Sequence, residues 1–191
     1  MFNLVIFGPP GSGKGTQSVR IAEKYGLAHI STGEIFRREI RQQSPLGIKV
    51  KSIIEQGELV PDALLVEVLK SGISAAGARN GLLFDGYPRT LQQAADLNTV
   101  MAESGNAVNL VLSLDVEEEE LVGRLLNRAR LEGRADDTEE VIRNRMKVYY
   151  NQTQPLENFY KANGKLRSVN GLGSVEEIFA RICGIIDELI A

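Results

Sequence analysis

The stretch FNLVIFGPPGSGKGT, residues 2–16, constrains this chain more than any other part of it. A continuous apolar run with no polar face enters a glycine-rich turn, which predicts a strand over residues 2–7 buried on both sides, as in a parallel sheet. Glycines at 8, 11, 13 and 15 let the backbone wrap an anion and turn successive amide N–H groups inward. A helix predicted over 14–25, stopped by Gly26, adds its N-terminal donors and its dipole. The spacing from Gly8 to Gly13 and Lys14 fits the P-loop pattern, with Lys14 as a mobile point charge for β and γ phosphate oxygens. The expected phosphate cradle is Gly11, Ser12, Gly13, Lys14, Gly15 and Thr16. One departure matters: Gly15 stands where the pattern has Ser or Thr, and Thr16 comes one later. A magnesium ion would then be held less by a loop hydroxyl and more by phosphates and water.

Downstream, strand patterns at 28–31, 82–84, 107–114 and 165–169 alternate with helical ones at 33–42, 46–56, 62–75, 141–150 and 175–190. A further helix is expected to begin at the acidic run 117–120, where carboxylates favour the positive end of the dipole. Pro155 is expected to end or kink the helix over 141–150. The alternation predicts an α/β fold, a parallel sheet with helices on both faces, in a single domain of 191 residues. Segments 31–60 and about 123–137 fit it poorly and read as excursions where function would sit. A net charge of −3 argues against a nucleic-acid partner, so any anion must be held by local cation clusters. One cysteine and one histidine exclude an intramolecular disulfide and make a Cys/His zinc site an unsuitable reading; both residues are assigned to packing or surface. No apolar run approaches the roughly 20 residues of a membrane span, and residues 2–7 have no basic region before them. A cytoplasmic protein without a membrane partner is expected.

A second cationic site follows the first. Arg37 lies one helical turn after Gly33, and Arg89 sits in a turn stiffened by Gly86 and Pro88. No Asn-Lys-x-Asp stretch of a guanine-reading switch is present. The segments GPPGSGKGTQ, STGEIFR, GELVPD, FDGYPRTLQQA and GRADDTEEVIRNR, in this order from residue 8 to 145, resemble the adenylate kinase family. The resemblance covers most of the chain. It implies a five-stranded parallel core, an AMP-binding lobe at 31–60 and a lid at 127–137 of the short, zinc-free type. It further implies that Thr32 and the backbone of Glu58, Leu59 and Val60 contact the adenosine of AMP. Arg37 and Arg89 would grip its phosphate within the turn of Gly86, Tyr87 and Pro88, and Gln93 would read the adenine edge. Asp85 would orient magnesium through water. The family pattern differs at Glu34, where many relatives carry Asp.

Six guanidinium groups fall between residues 124 and 145. Arg124 and Arg128, at i and i+4, repel unless an anion lies between them. By the same resemblance, Arg124, Arg128, Arg134 and Arg145 take phosphate-contacting positions, with Arg134 and Arg145 reaching AMP as well and Asp136 and Asp137 pairing with such arginines. Arg130 and Arg143 are read as solvated. Gly173 is the expected backbone contact for the ATP adenine. The implied reaction is reversible transfer between Mg·ATP and AMP to give ADP. Lys14, Arg89 and the lid arginines would be its catalytic groups, and a monomer is the default. Two rival readings are a uridylate/cytidylate kinase, disfavoured by Thr32, Thr90 and Gln93, and a P-loop switch, which has no use for an acceptor pocket.

Overall fold

The structure, a computed structural model, describes residues 1–77, 80–132 and 138–190. In chain order the elements are β1 (Leu4–Phe7), α1 (Lys14–Tyr25), β2 (Ala28–Ser31), α2 (Thr32–Arg41), α3 (Pro45–Glu55), α4 (Asp62–Ala75), β3 (Leu82–Asp85) and α5 (Leu91–Glu103). They continue with β4 (Leu110–Asp115), α6 (Glu118–Glu132), α7 (Glu139–Val148), a π-helical turn (Tyr149–Thr153), α8 (Pro155–Ala162), β5 (Leu166–Asn170) and α9 (Val175–Ile190). The strands form one parallel sheet in the order β2-β3-β1-β4-β5.

The uniform apolar run of β1 divides between two cores, because successive side chains of a strand point to opposite faces. Leu4 and Ile6 join Leu83, Leu110, Leu112 and Leu114 under α1 and α9, through Ile21, Ile178, Ile182 and Ile186. Val5 and Phe7 join Phe84 and Val111 on the other face, covered by side chains of α2, α3, α4, α5 and α8. Fully burying one such side chain is worth about 1.5–3 kcal/mol, so the two clusters hold the strand ends at fixed height.

The strand begins at Leu4 rather than at residue 2, and the cause is Asn3. Fully buried, it accepts from the Leu82 amide through Oδ1 (3.1 Å) and donates through Nδ2 to the Ala107 carbonyl (2.9 Å). Its own amide donates to Asn109 Oδ1 (2.8 Å). Side-chain bonds thus take over part of the pairing where β1, β3 and β4 start, beside the backbone bond from the Asn109 amide to the Asn3 carbonyl (2.8 Å), and the regular part of β4 begins at Leu110. A second difference concerns Pro155. The α-helix already ends at Val148, the π-helical turn follows, and Pro155 opens α8 at its first turn, where a missing N–H costs nothing. Helix α5 lies where the sequence reading named no element; Thr90 Oγ1 accepts the Gln93 amide (3.2 Å) and caps its start.

Candidate active site

The carboxyl ends of β1 and β3 open into a cleft of about 980 Å³. Its floor is the loop between β1 and α1, lined by Gly11, Ser12, Gly13, Lys14, Gly15 and Thr16. Gly13, at φ 90°, caps α1 in a conformation that costs glycine nothing. Gly11, at φ 85°, lies so near α6 that a Cβ would stand 2.9 Å from the Leu121 carbonyl oxygen. Within the loop the Ser12 amide donates to the Pro9 carbonyl (3.1 Å), and Lys14 Nζ donates to the same oxygen (3.1 Å). Desolvation pulls Lys14 down to about 7; Asp85 partly offsets this, while Arg89, Arg145 and Arg128 add to it.

Asp85 ends β3 beside the loop, and a Cβ on Gly15 would come within 3.8 Å of its Oδ2. Burial pushes its carboxyl up, but His29, Lys14 and Arg89 outweigh that and hold it below the ordinary carboxylate range. His29 Nε2, on the neighbouring strand, stands 3.4 Å from Asp85 Oδ2. His29 does not line the cleft, in keeping with its expected place in packing or at the surface; the register sets it opposite Leu83, on the same face of the sheet as Asp85, and no local signal in the sequence announces that contact. Among the described residues no cluster of three or more His, Cys, Asp or Glu could hold a metal ion. A single carboxylate beside a phosphate loop fits magnesium, which keeps its waters and rides on phosphates rather than in a protein cage.

The same cleft gathers the second set. Thr32, buried, donates through Oγ1 to the Gly86 carbonyl (3.0 Å), tying α2 to the turn after β3. Arg37 folds back over Gly33, whose Cβ would meet Arg37 Nη1 at 3.2 Å. Arg89 Nε donates to the Gly86 carbonyl (2.7 Å), and Gly86, at φ 78°, supplies the left-handed backbone this turn needs. Desolvation lowers Arg89 to about 10, with Arg145 and Arg37 adding to it against Asp85. Gln93, almost fully buried, accepts from the Arg89 amide through Oε1 (2.7 Å) and donates through Nε2 to Asp62 Oδ1 (2.7 Å). Asp62 was not foreseen as part of this arrangement. Glu58, Leu59, Val60 and Pro88 line the cleft. The Tyr87 ring does not; it is core, and its hydroxyl donates to the Gln93 carbonyl (3.1 Å).

Arg128 and Arg145 also line the cleft, from α6 and α7. Arg124 lines it too, but its guanidinium is held by Glu120 Oε1 (2.9 Å) and by the Gly171 carbonyl (3.2 Å). It therefore also ties α6 to the loop after β5. Gly173, in that loop at φ 114°, lines the cleft near Val175, whose carbonyl accepts from Gln17 Nε2 (3.0 Å). Arg143 bonds Glu139 (2.7 Å) and Arg130 bonds Asn127 (3.1 Å), both at the surface. Arg134, Asp136 and Asp137 lie outside the described residues.

Parallel strands that feed a glycine-rich loop into a helix, with a lysine at the helix start facing a deep cleft, define a P-loop α/β protein. The family model "Adenylate kinase" matches residues 6–165. An adenylate kinase of Bacteroides fragilis is 50% identical over 189 residues, covering 99% of this chain and 100% of the relative. Those of Bacteroides thetaiotaomicron and Leptospira biflexa are 49% and 47% identical, covering 99% and 93% of the chain and 100% and 96% of the relatives. The chain belongs to the adenylate kinase family, nucleoside monophosphate kinases of the P-loop class.

Proposed function

We propose that this protein catalyses reversible, magnesium-dependent phosphoryl transfer from ATP to AMP, giving two ADP and so balancing the adenine nucleotide pool. The observation that carries this reading is a single cleft lined by Lys14 of the phosphate loop together with Arg37, Arg89, Arg128 and Arg145. Lys14 from the loop feels Arg89, Arg145 and Arg128, while Arg89 feels Arg145 and Arg37. Cations set that close repel one another, and phosphates entering from both ends relieve the cost.

In this reading Gly11, Ser12, Gly13, Gly15 and Thr16 take the ATP phosphates with Lys14, and Gly173 meets the ATP adenine. Arg37 and Arg89 take the AMP phosphate. Thr32 and the backbone of residues 58–60 meet its adenosine, and Gln93 reads the adenine edge with the NH that Asp62 leaves over. The turn of Gly86 and Pro88 is the frame for Arg89, and buried Tyr87 fixes Gln93 from behind. The AMP phosphate is already an ionised nucleophile near neutral pH, so no general base is needed. The residues position two anions in line and offset the charge on the moving group. Arg128, Arg134 and Arg145 supply that charge from the lid side, one such arginine being worth on the order of 10³–10⁵ in rate. Arg124 serves by holding the loop that carries Gly173. Magnesium bound with ATP would be met by Asp85 through water; its chemistry is Lewis-acid charge stabilisation on the phosphate oxygens.

Segments 31–60 and 127–137 act as AMP lobe and lid in the same reading, excluding water as the competing acceptor. In this reading the protein works as a monomer, and the lone buried Cys183 suits a reducing cytoplasm. No helix among the described residues is long and apolar enough to cross a membrane. The direct test mixes the protein with magnesium, ATP and AMP, CMP or UMP. ADP forms fastest with AMP, and Lys14→Ala abolishes it. Faster transfer to CMP, or no ADP from ATP and AMP, would overturn the reading.

A further inference from the structure

The loop that follows α3 lies flat on α7. Gly57, buried and at φ 76°, leaves no room for a side chain: a Cβ would stand 2.8 Å from Arg145 Cγ and 3.1 Å from the Val141 carbonyl oxygen. On either side of Gly57 the contact is made polar by one residue. Asn144 Nδ2 donates to the Gln56 carbonyl (2.7 Å) and to Glu58 Oε1 (2.9 Å). Gln56 is the C-cap of α3, so its carbonyl is one of the helix-end acceptors that lack a partner inside the helix. The second acceptor is a carboxylate, which makes that bond charge-assisted. One amide thus spans a loop of three residues, adjacent in sequence to Arg145.

We propose that Asn144 is a positioning residue for AMP. It fixes the distance between the Leu59–Val60 backbone, which would meet the adenosine, and Arg145, which would meet the phosphate. This rests on the function proposed above and adds to it a specific device. Asn144 touches neither nucleotide; it acts by joining two elements that arrive from distant parts of the chain. The mechanism makes its effect selective. In the proposed function ATP is held by the β1–α1 loop and the loop after β5, whereas both side-chain hydrogen bonds of Asn144 go to the loop after α3, so AMP binding is the part that should loosen.

Calorimetric titration of AMP alone and of ATP alone, on wild type and variants, separates these effects. Loss of two partly exposed hydrogen bonds in Asn144→Ala should weaken AMP by about tenfold and leave ATP within about twofold. Asn144→Asp, which sets a carboxylate against Glu58, should weaken AMP further. Adding Glu58→Gln restores a donor to that pair and should recover at least about half of the loss. A purely structural role would weaken both nucleotides together, and that result would overturn the proposal. So would unchanged AMP affinity in Asn144→Ala, or a double variant no better than Asn144→Asp. Wild-type protein that takes up no AMP would sink the functional reading itself, and the device with it.

Discussion

Lys14 carries a charge that its surroundings disfavour, and the consequence is measurable. Its ammonium is drawn from the ordinary 10.5 down to about 7, by desolvation first and then by Arg89, Arg145 and Arg128 against Asp85. A polyphosphate beside it favours the charged form, so binding raises its pKa. Between the two values ATP binding takes up a proton, and affinity falls as pH rises above about 7, by at most about tenfold per pH unit. Calorimetry at pH 8.5 in two buffers of different ionisation enthalpy should therefore report an uptake approaching one proton, absent in Lys14→Met. Buffer-independent heats would contradict it. Without ligand the sign works through folding: from about 7 to 10.5 the unfolded chain holds a proton that the folded one lacks, so this group favours folding as pH climbs. Lys14 was legible from its spacing because P-loop chemistry is local. The contact of His29 with Asp85 and the anchoring of Arg124 were not: one depends on a strand register, the other on a carbonyl brought from Gly171.

The elements show where sequence patterns suffice and where they fail. Helices α1, α4 and α9 were readable to their ends, since glycine stops, Pro61 and a one-sided apolar stripe are all local signals. The starts of β1 and β4 were not, because there the side chains of Asn3 and Asn109 share the pairing with the backbone across the sheet. The pairing of α2 with α3 turns on Gly47. It is buried in α3, and a Cβ there would overlap the backbone at Glu39 and Ile40 of α2. Gly47→Ala gains up to about 1 kcal/mol of helix propensity, but the obstruction is rigid backbone, and overpacking of this kind costs about 1–3 kcal/mol. The clash should win. Denaturant titration should show lower stability, and calorimetry should show AMP affinity reduced with ATP affinity kept. Equal loss of both nucleotides would mean that α2 and α3 do not form a separate AMP lobe.

At the scale of the molecule, a parallel sheet delivers the ends of β1 and β3 to one cleft, and helices α2, α6 and α7 bring cations over it. Lys14, Arg37, Arg89, Arg128 and Arg145 come from five places in the sequence yet line a single space of about 980 Å³. Arg89 stands close enough to the phosphate loop to pull the Lys14 ammonium down. Such an arrangement is suited to two nucleotides meeting through their phosphates, rather than to one nucleotide held as a signal. A bisubstrate probe, two adenosines joined by a chain of five phosphates, tests this most directly. Titrated into the protein, it should bind with a stoichiometry of one, more tightly than ATP or AMP alone, and displace both. Binding no tighter than ATP, or displacement of ATP with AMP left in place, would contradict the account.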